Sequence, residues 1–206
     1  MKVTREKAAE NRAALVREAG RLFRERGIDG VGVAEVSKAA GLTHGALYAQ
    51  FSSKEALAAE ALAAGLETSG ARLAKIVERP DASLGDLLDY YVSRRHRDDL
   101  AFGCPLAASA SEIARQDRSV SARFVEGFER MTAAVEATLV DLPPETRHQR
   151  ALTIVAAEIG AIAVARASAK SDLGLSNEIL AAARTTLEQL GEEPPRARRR
   201  RRRVGR

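Results

Sequence analysis

At 206 residues, 45% hydrophobic and 30% charged, the chain has material for one or two small cores. Its single cysteine excludes an internal disulfide, and the lack of an apolar N-terminal export segment predicts a cytosolic chain with no membrane partner. The net charge of +5 is uneven: residues 1–54 carry ten Lys/Arg against six Asp/Glu, residues 196–206 carry eight Arg and no acid, and the stretch between is acidic, net −7.

A basic head on an acidic body suits a head that meets a polyanion. Alanine and leucine dominate and β-branched runs are short, which predicts an all-α fold. The first helix is expected over Lys7–Arg26, with Leu15, Ala19, Leu22 and Phe23 facing inward and Gly27 ending it. Val33, Val36 and Ala40 fall at i, i+3 and i+7 and form one stripe of a short second helix. Gly41 can close that helix in the left-handed conformation. Thr43 is a good N-cap for a third helix, His44 to about Phe51, anchored inward by Leu47 and Phe51 at i, i+4 spacing. Ser52-Ser53-Lys54-Glu55 reads as a capping box that starts a long fourth helix near Ser53.

Two short helices joined by a tight turn, then a helix with its own start signal, make the pattern of a helix-turn-helix reader of the major groove. The outward side of the third helix would carry His44, Gly45, Tyr48, Ala49 and Gln50. Hydroxyls of Thr43 and Tyr48 and the ammonium of Lys54, beside a helix N-terminus, suit phosphate oxygens and would position the protein. His44 and Gln50 suit base edges, and Gly45 lets the backbone come close. An ordinary helical corner with polar residues facing water would share the same spacing.

The fourth helix is expected to run toward Glu78, where Pro80 forbids much continuation. Such a helix starts in the head and ends in the body, so it can transmit movement. A fifth begins at Ser83 and buries Leu84, Leu87, Leu88, Tyr91 and Val92. His96, in the string RRHRDD, reads as part of a solvated charge cluster. Gly103-Cys104-Pro105 breaks the chain, and Pro105 suits the first turn of a helix to about Arg115. Val120, Phe124, Phe128, Met131, Val135 and Leu139 predict a helix from Val120 to about Val140. After Pro143-Pro144 come helices near Glu145–Ala169 and Ser176–Leu190. The apolar stretch Ala151–Ala165 is too short to span a bilayer and contains Glu158. The tail from 193 to 206 is low-complexity and expected to be disordered, either a non-specific phosphate attractor or a solvated extension.

The string GLTHGALYAQFSSKEAL, with AGRLFRERGIDG before it, resembles the TetR family of bacterial transcriptional repressors over roughly Arg12–Leu57. The resemblance implies a three-helix DNA-binding domain at 1–54 and a helical ligand-binding and dimerisation domain at 55–192. Two positions depart from the family pattern. Gly32 stands where a Thr or Ser usually caps the second helix and touches phosphate, and Gln50 stands where an aromatic or His is usual. The family's body holds a small-molecule pocket whose occupancy releases DNA. Tyr90, Tyr91, Phe102, Phe124, Phe128 and Met131 are candidates to line it, and for any single one of them plain core is the more frequent role. The expected route of coupling runs from Phe124 and Phe128 through the fourth helix to Lys54. Cys104 lies in a GCP string used by a subset of the family and invites a sensing role; a buried inert thiol is the alternative.

In the family the last two helices form a four-helix dimer interface. Small or apolar residues suited to that contact are Ala157, Gly160, Ala161, Val164, Ile179, Ala183 and Leu187. Half-sites about 34–36 Å apart ask for the same two-fold dimer. The function so implied is a ligand-responsive repressor of a palindromic DNA operator, its small-molecule effector unidentified. A weakly sequence-specific architectural DNA-binding protein is the alternative. With three scattered histidines and no metal-ligand spacing or Gly-rich phosphate loop, neither an enzyme nor a metal or other cofactor is expected.

Overall fold

The computed structural model describes residues 4–192; the Arg-rich tail at 193–206 lies outside them. Among the described residues the chain forms ten helices and no strand: α1 (Arg5–Arg26), α2 (Val33–Ala39), α3 (His44–Tyr48), α4 (Lys54–Val77), α5 (Leu84–Tyr91), α6 (Arg94–Asp98), α7 (Pro105–Ile113), α8 (Arg118–Glu136), α9 (Pro144–Ala169) and α10 (Leu173–Leu190).

Side-chain caps set most of these boundaries. Thr4 accepts from the Lys7 amide at 3.2 Å, so α1 starts two residues before the apolar stripe suggested. At α4 the cap is Ser53, which accepts from the Ala56 amide at 3.1 Å. Glu55 therefore sits at the second helical position, one short of the third position that a capping box requires. The chain does build such a box at α5, where the Ser83 hydroxyl and the Asp86 carboxylate cap one another's backbone amides. Asp172 accepts from the Leu175 amide and starts α10 at Leu173, ahead of Ser176. The short α6, capped by Ser93, was not foreseen, because RRHRD has no apolar period. Gly27 (φ 81°) and Gly41 (φ 68°) take left-handed conformations after α1 and α2, where a side chain would be strained.

In the head, α1, α2 and α3 pack around Leu15, Phe23, Val36, Leu47 and Phe51, all buried. Burying one such side chain is worth about 1.5–3 kcal/mol. The N-terminal turns of α4 complete this core with Leu57 and Ala58, and its later turns bury Leu66 and Leu73 in the body. There α4 lies close against α8. A Cβ on Gly127 would stand 2.6 Å from Leu66 Cδ2, so only glycine allows this approach.

Helix α9 has 26 residues and, by length and composition, could cross a membrane, which corrects the shorter span read from sequence. One side of it packs on the body and the other is exposed. It buries Ile154, Glu158 and Ile162 against the body, and Arg166 bonds to carbonyls of α6 and the turn after it.

Candidate nucleic-acid interface and body cavity

The head presents one short helix to solvent. Leu47 is fully buried beneath α3, while Thr43, His44, Gly45, Tyr48 and Ala49 are exposed. Thr43 caps α3 by accepting from the Ala46 amide at 3.3 Å. The His44 and Tyr48 rings meet edge to face, centroids 5.1 Å apart, so the two side chains brace one another on the outward face. The helix ends at Tyr48, sooner than expected, and Gln50 follows it in the turn, half-buried. Lys54 is half-buried at the first position of α4. Gly32 caps α2 through its backbone alone; its surroundings are open, and its extended φ of −85° suits any side chain.

Arg12 was missed by sequence reasoning. From α1 it donates to the Gln50 carbonyl at 2.6 Å, pairs with Glu60 of α4, and lies 4.2 Å over the Phe51 ring. It ties the turn after α3 to α1 and α4. Its partners lie 38 and 48 residues away, and no local pattern announces them.

The body holds a partly open cavity of about 220 Å³ between α4, α5 and α8, bordered by α6 and the start of α7. Its wall is mainly apolar: Leu66, Leu73, Val77, Leu106 and Met131, with Gly70 and Gly127 leaving room. Among the residues singled out from sequence, Tyr90, Tyr91, Cys104 and Met131 line it. Phe102 is 58% exposed outside it, and Phe124 and Phe128 are half-buried against the core, away from the wall. The expected route of coupling through those two phenylalanines therefore does not start at this cavity.

His96 also lines the cavity, which overturns its reading as a solvated charge. Its ring is buried, Nε2 accepts from the Cys104 amide at 3.0 Å, and Tyr91 packs edge to face at 4.4 Å. Burial, with the positive charge of Arg166 second, pulls its pKa down to about 4, so it is neutral near pH 7. The neighbouring Arg97 is buried too. It donates to Ser176 Oγ and Asn177 Oδ1, both at 2.9 Å, and so fastens α6 to α10. Sequence reasoning saw only charge in RRHRDD because the partners are 79 and 80 residues away.

Cys104 is buried, and that burial pushes its thiol up from the ordinary value. The lowered pKa that a helix start can confer is not realised here. Behind the wall, the buried Glu158 has one carboxylate oxygen without a hydrogen-bond partner, and burial holds its carboxyl well above the usual range. The Tyr91 hydroxyl is likewise buried and unpartnered.

Two connections lead from the cavity to the head. Helix α4 supplies much of the wall and begins at the head core. Helix α7 carries Leu106 at the cavity and Glu112 at its other end. Glu112 Oε2 accepts from the Ile28 amide at 3.1 Å, in the turn between α1 and α2, and Gln116 beyond it bonds Asp29 at 3.0 Å. The Glu112 carboxylate fills the space a Cβ on Gly27 would need.

On the far side of the body, α9 and α10 leave an apolar face open. Val164 is 54% exposed, with Leu173 and Leu175 at 55% and 47%. Ala157 is exposed, Gly160 and Ala161 are half-buried, and the space beyond Gly160 is empty. Ile179 and Ala183 are half-buried against the core of the same protomer. Leu187 is 4% exposed within that core, which removes it from the surface a partner could touch.

A helix-turn-helix head on a cavity-bearing helical body defines a two-part DNA-binding regulator. Residues 15–61 match the model for bacterial regulatory proteins of the tetR family, and residues 80–173 match the C-terminal domain of LmrA/YxaF-like transcriptional regulators. The chain belongs to the TetR family of transcriptional regulators. No curated protein sequence matches it. Solved structures share its fold. The reduced form of E. coli NemR is 21% identical over 87% of this chain and 95% of its own, with a TM-score of 0.71. A TetR-family regulator from Agrobacterium tumefaciens is 20% identical over 88% and 98%, TM-score 0.72. One from Legionella pneumophila is 16% identical over 92% and 98%, TM-score 0.74.

Proposed function

We propose that this protein is a cytoplasmic, ligand-responsive repressor that binds a palindromic or near-palindromic operator as a homodimer and is released by a small, largely apolar effector. In this reading residues 1–54 contact DNA and residues 55–192 hold the effector and the dimer contact; the protein is not an enzyme. The observation that carries the reading is the 220 Å³ mainly apolar cavity, walled by the same α4 whose first turns complete the head core. Such a volume exceeds the roughly 150 Å³ of an engineered cavity that takes up benzene. Release requires that the effector bind the DNA-incompetent arrangement more tightly than the DNA-competent one. The cavity touches both α4 and α7, so a ligand there can bear on both links to the head.

In the head, Thr43, Tyr48 and Lys54 would position the protein on phosphates, and His44 with its neighbours would read bases. The exposed α9–α10 face, centred on Val164 and Gly160, would meet its two-fold mate and set the spacing of the two heads. The test is to sequence the genomic fragments that the full chain selects, then measure its mass on and off them by sedimentation. A recurring inverted repeat bound by a dimer is the expected result. Fragments without a common site, or a monomer in both states, would sink it. Compounds chosen from the chemistry of the genes beside that repeat should then weaken binding.

A further inference from the structure

A second recess lies at the joint between head and body. It is a groove of about 450 Å³ between α1 and α4, closed at one end by Phe102 and Gly103. Its floor is small and apolar: Ala13, Val16, Ala61 and Ala64. Its charged lining is of one sign, Arg17 and Arg24 from α1 and Arg72 from α4.

Arg24 is held there by design of the backbone. Its Nε donates to the Ala101 carbonyl at 2.7 Å. Its Nη1 lies where a Cβ on Gly20 or Gly65 would come within 3.3 or 2.9 Å, so two glycines on facing helices form the notch that takes the guanidinium. Arg72 donates to the Phe102 carbonyl at 3.3 Å. Neither Arg24 nor Arg72 forms an ion pair with a carboxylate among the described residues. The nearby Asp99 spends Oδ1 on the Phe102 amide, and Arg17 engages only Glu18, through Nε at 3.3 Å. Burial pulls Arg24 down from its ordinary value; Asp99 offsets this in part, and Arg72 adds like-charge repulsion. Guanidiniums without carboxylates, lining one apolar groove and anchored on adjacent carbonyls, fit the planar oxygens of a carboxylate or phosphate attached to a flat apolar body.

We propose that the α1–α4 groove is a binding site for a small organic anion, an aromatic phosphate or carboxylate, whose charged group bridges Arg24 and Arg72 and whose apolar part lies on Ala61 and Ala64. Because the groove joins the head to the body, an anion there would fix the angle between them, independently of what fills the body cavity. The proposal does not depend on an effector in that cavity.

The test titrates 1-naphthyl phosphate into the full-length protein by calorimetry, with 1-naphthol as the uncharged control. The phosphate should bind, and Arg72→Gln, at an exposed position, should weaken it by about tenfold or more without lowering Tm. Ala64→Glu should place a carboxylate in the groove and block the ligand, and it remains informative if Arg24→Gln fails to fold. Gly70→Leu, which fills the body cavity, should leave phosphate binding intact. Unchanged affinity in both Arg72→Gln and Ala64→Glu would overturn the proposal. So would loss of binding in Gly70→Leu, which would move the ligand to the body cavity, or equal binding of 1-naphthol.

Discussion

Head and body each carry a histidine at their centre of interest, and the two are held in opposite ways. His44 stands exposed on a one-turn helix, touched chiefly by Tyr48 four residues on. His96 is buried in a cavity wall, bonded to the Cys104 amide, packed on Tyr91 and kept uncharged by its surroundings. The head offers polar groups to a partner from one continuous run of chain. The body sets its polar groups, His96 among them, into a mainly apolar wall drawn from five helices. Surface chemistry for DNA can be local, because the duplex supplies the other half of each contact. A cavity must be walled by the protein itself.

That contrast can be broken first through pH. His96 has a folded pKa of about 4 against an ordinary 6.5. Between those values the unfolded chain binds more protons, so stability rises with pH, is complete above about 6.5, and is lost as pH falls toward 4. The full effect is on the order of 3 kcal/mol. Urea unfolding from pH 4 to 7 should show this slope in the stability difference between wild type and His96→Gln, in which the contributions of the other titrating groups cancel. Glu158 has the opposite sign, because its folded value is raised. Glu158→Gln should stabilise the protein at neutral pH, with the gain vanishing near pH 4.

Filling the cavity is the next test. A side chain on Gly70 meets nothing within 4 Å, and the residue lines the cavity within α4. Gly70→Leu should keep or raise Tm, since glycine costs a helix up to about 1 kcal/mol. It should abolish an effector response of about 1–3 kcal/mol, as read by operator binding with and without the ligand. A normal response in the filled variant would put the effector elsewhere.

In the head, His44→Ala should narrow the gap between operator and random DNA by about 1–3 kcal/mol with little change in Tm. Lys54→Ala and Tyr48→Phe should weaken all sequences together. Fluorescence anisotropy on both duplexes separates the cases. If His44→Ala leaves the ratio unchanged, the division of roles fails. The smallest effect expected is at Gly32. Thr there fits without strain and adds a hydroxyl cap, for a stability change of a few tenths of a kcal/mol. Its measurable consequence is tighter binding to operator and random DNA alike.

The helical class, the head and its exposed face were legible in the sequence because each rests on neighbours three or four residues apart. Thr43 caps, Leu47 anchors and His44 meets Tyr48 within little more than one turn. Even there, the choice of Ser53 over Ser52 as cap was a matter of one residue's register, which adjacent serines cannot declare. What tertiary structure alone decided was held by distant partners: Arg12 on Gln50 and Glu60, Glu112 on Ile28, Arg97 on Ser176. The same holds for which aromatic residues face the cavity. Phe124, Phe128 and Met131 share one helix and one periodic pattern, yet only Met131 lies on the wall. Periodicity tells which side of a helix is buried, but the neighbours placed against it by chain folding decide whether that side meets packed core or open space.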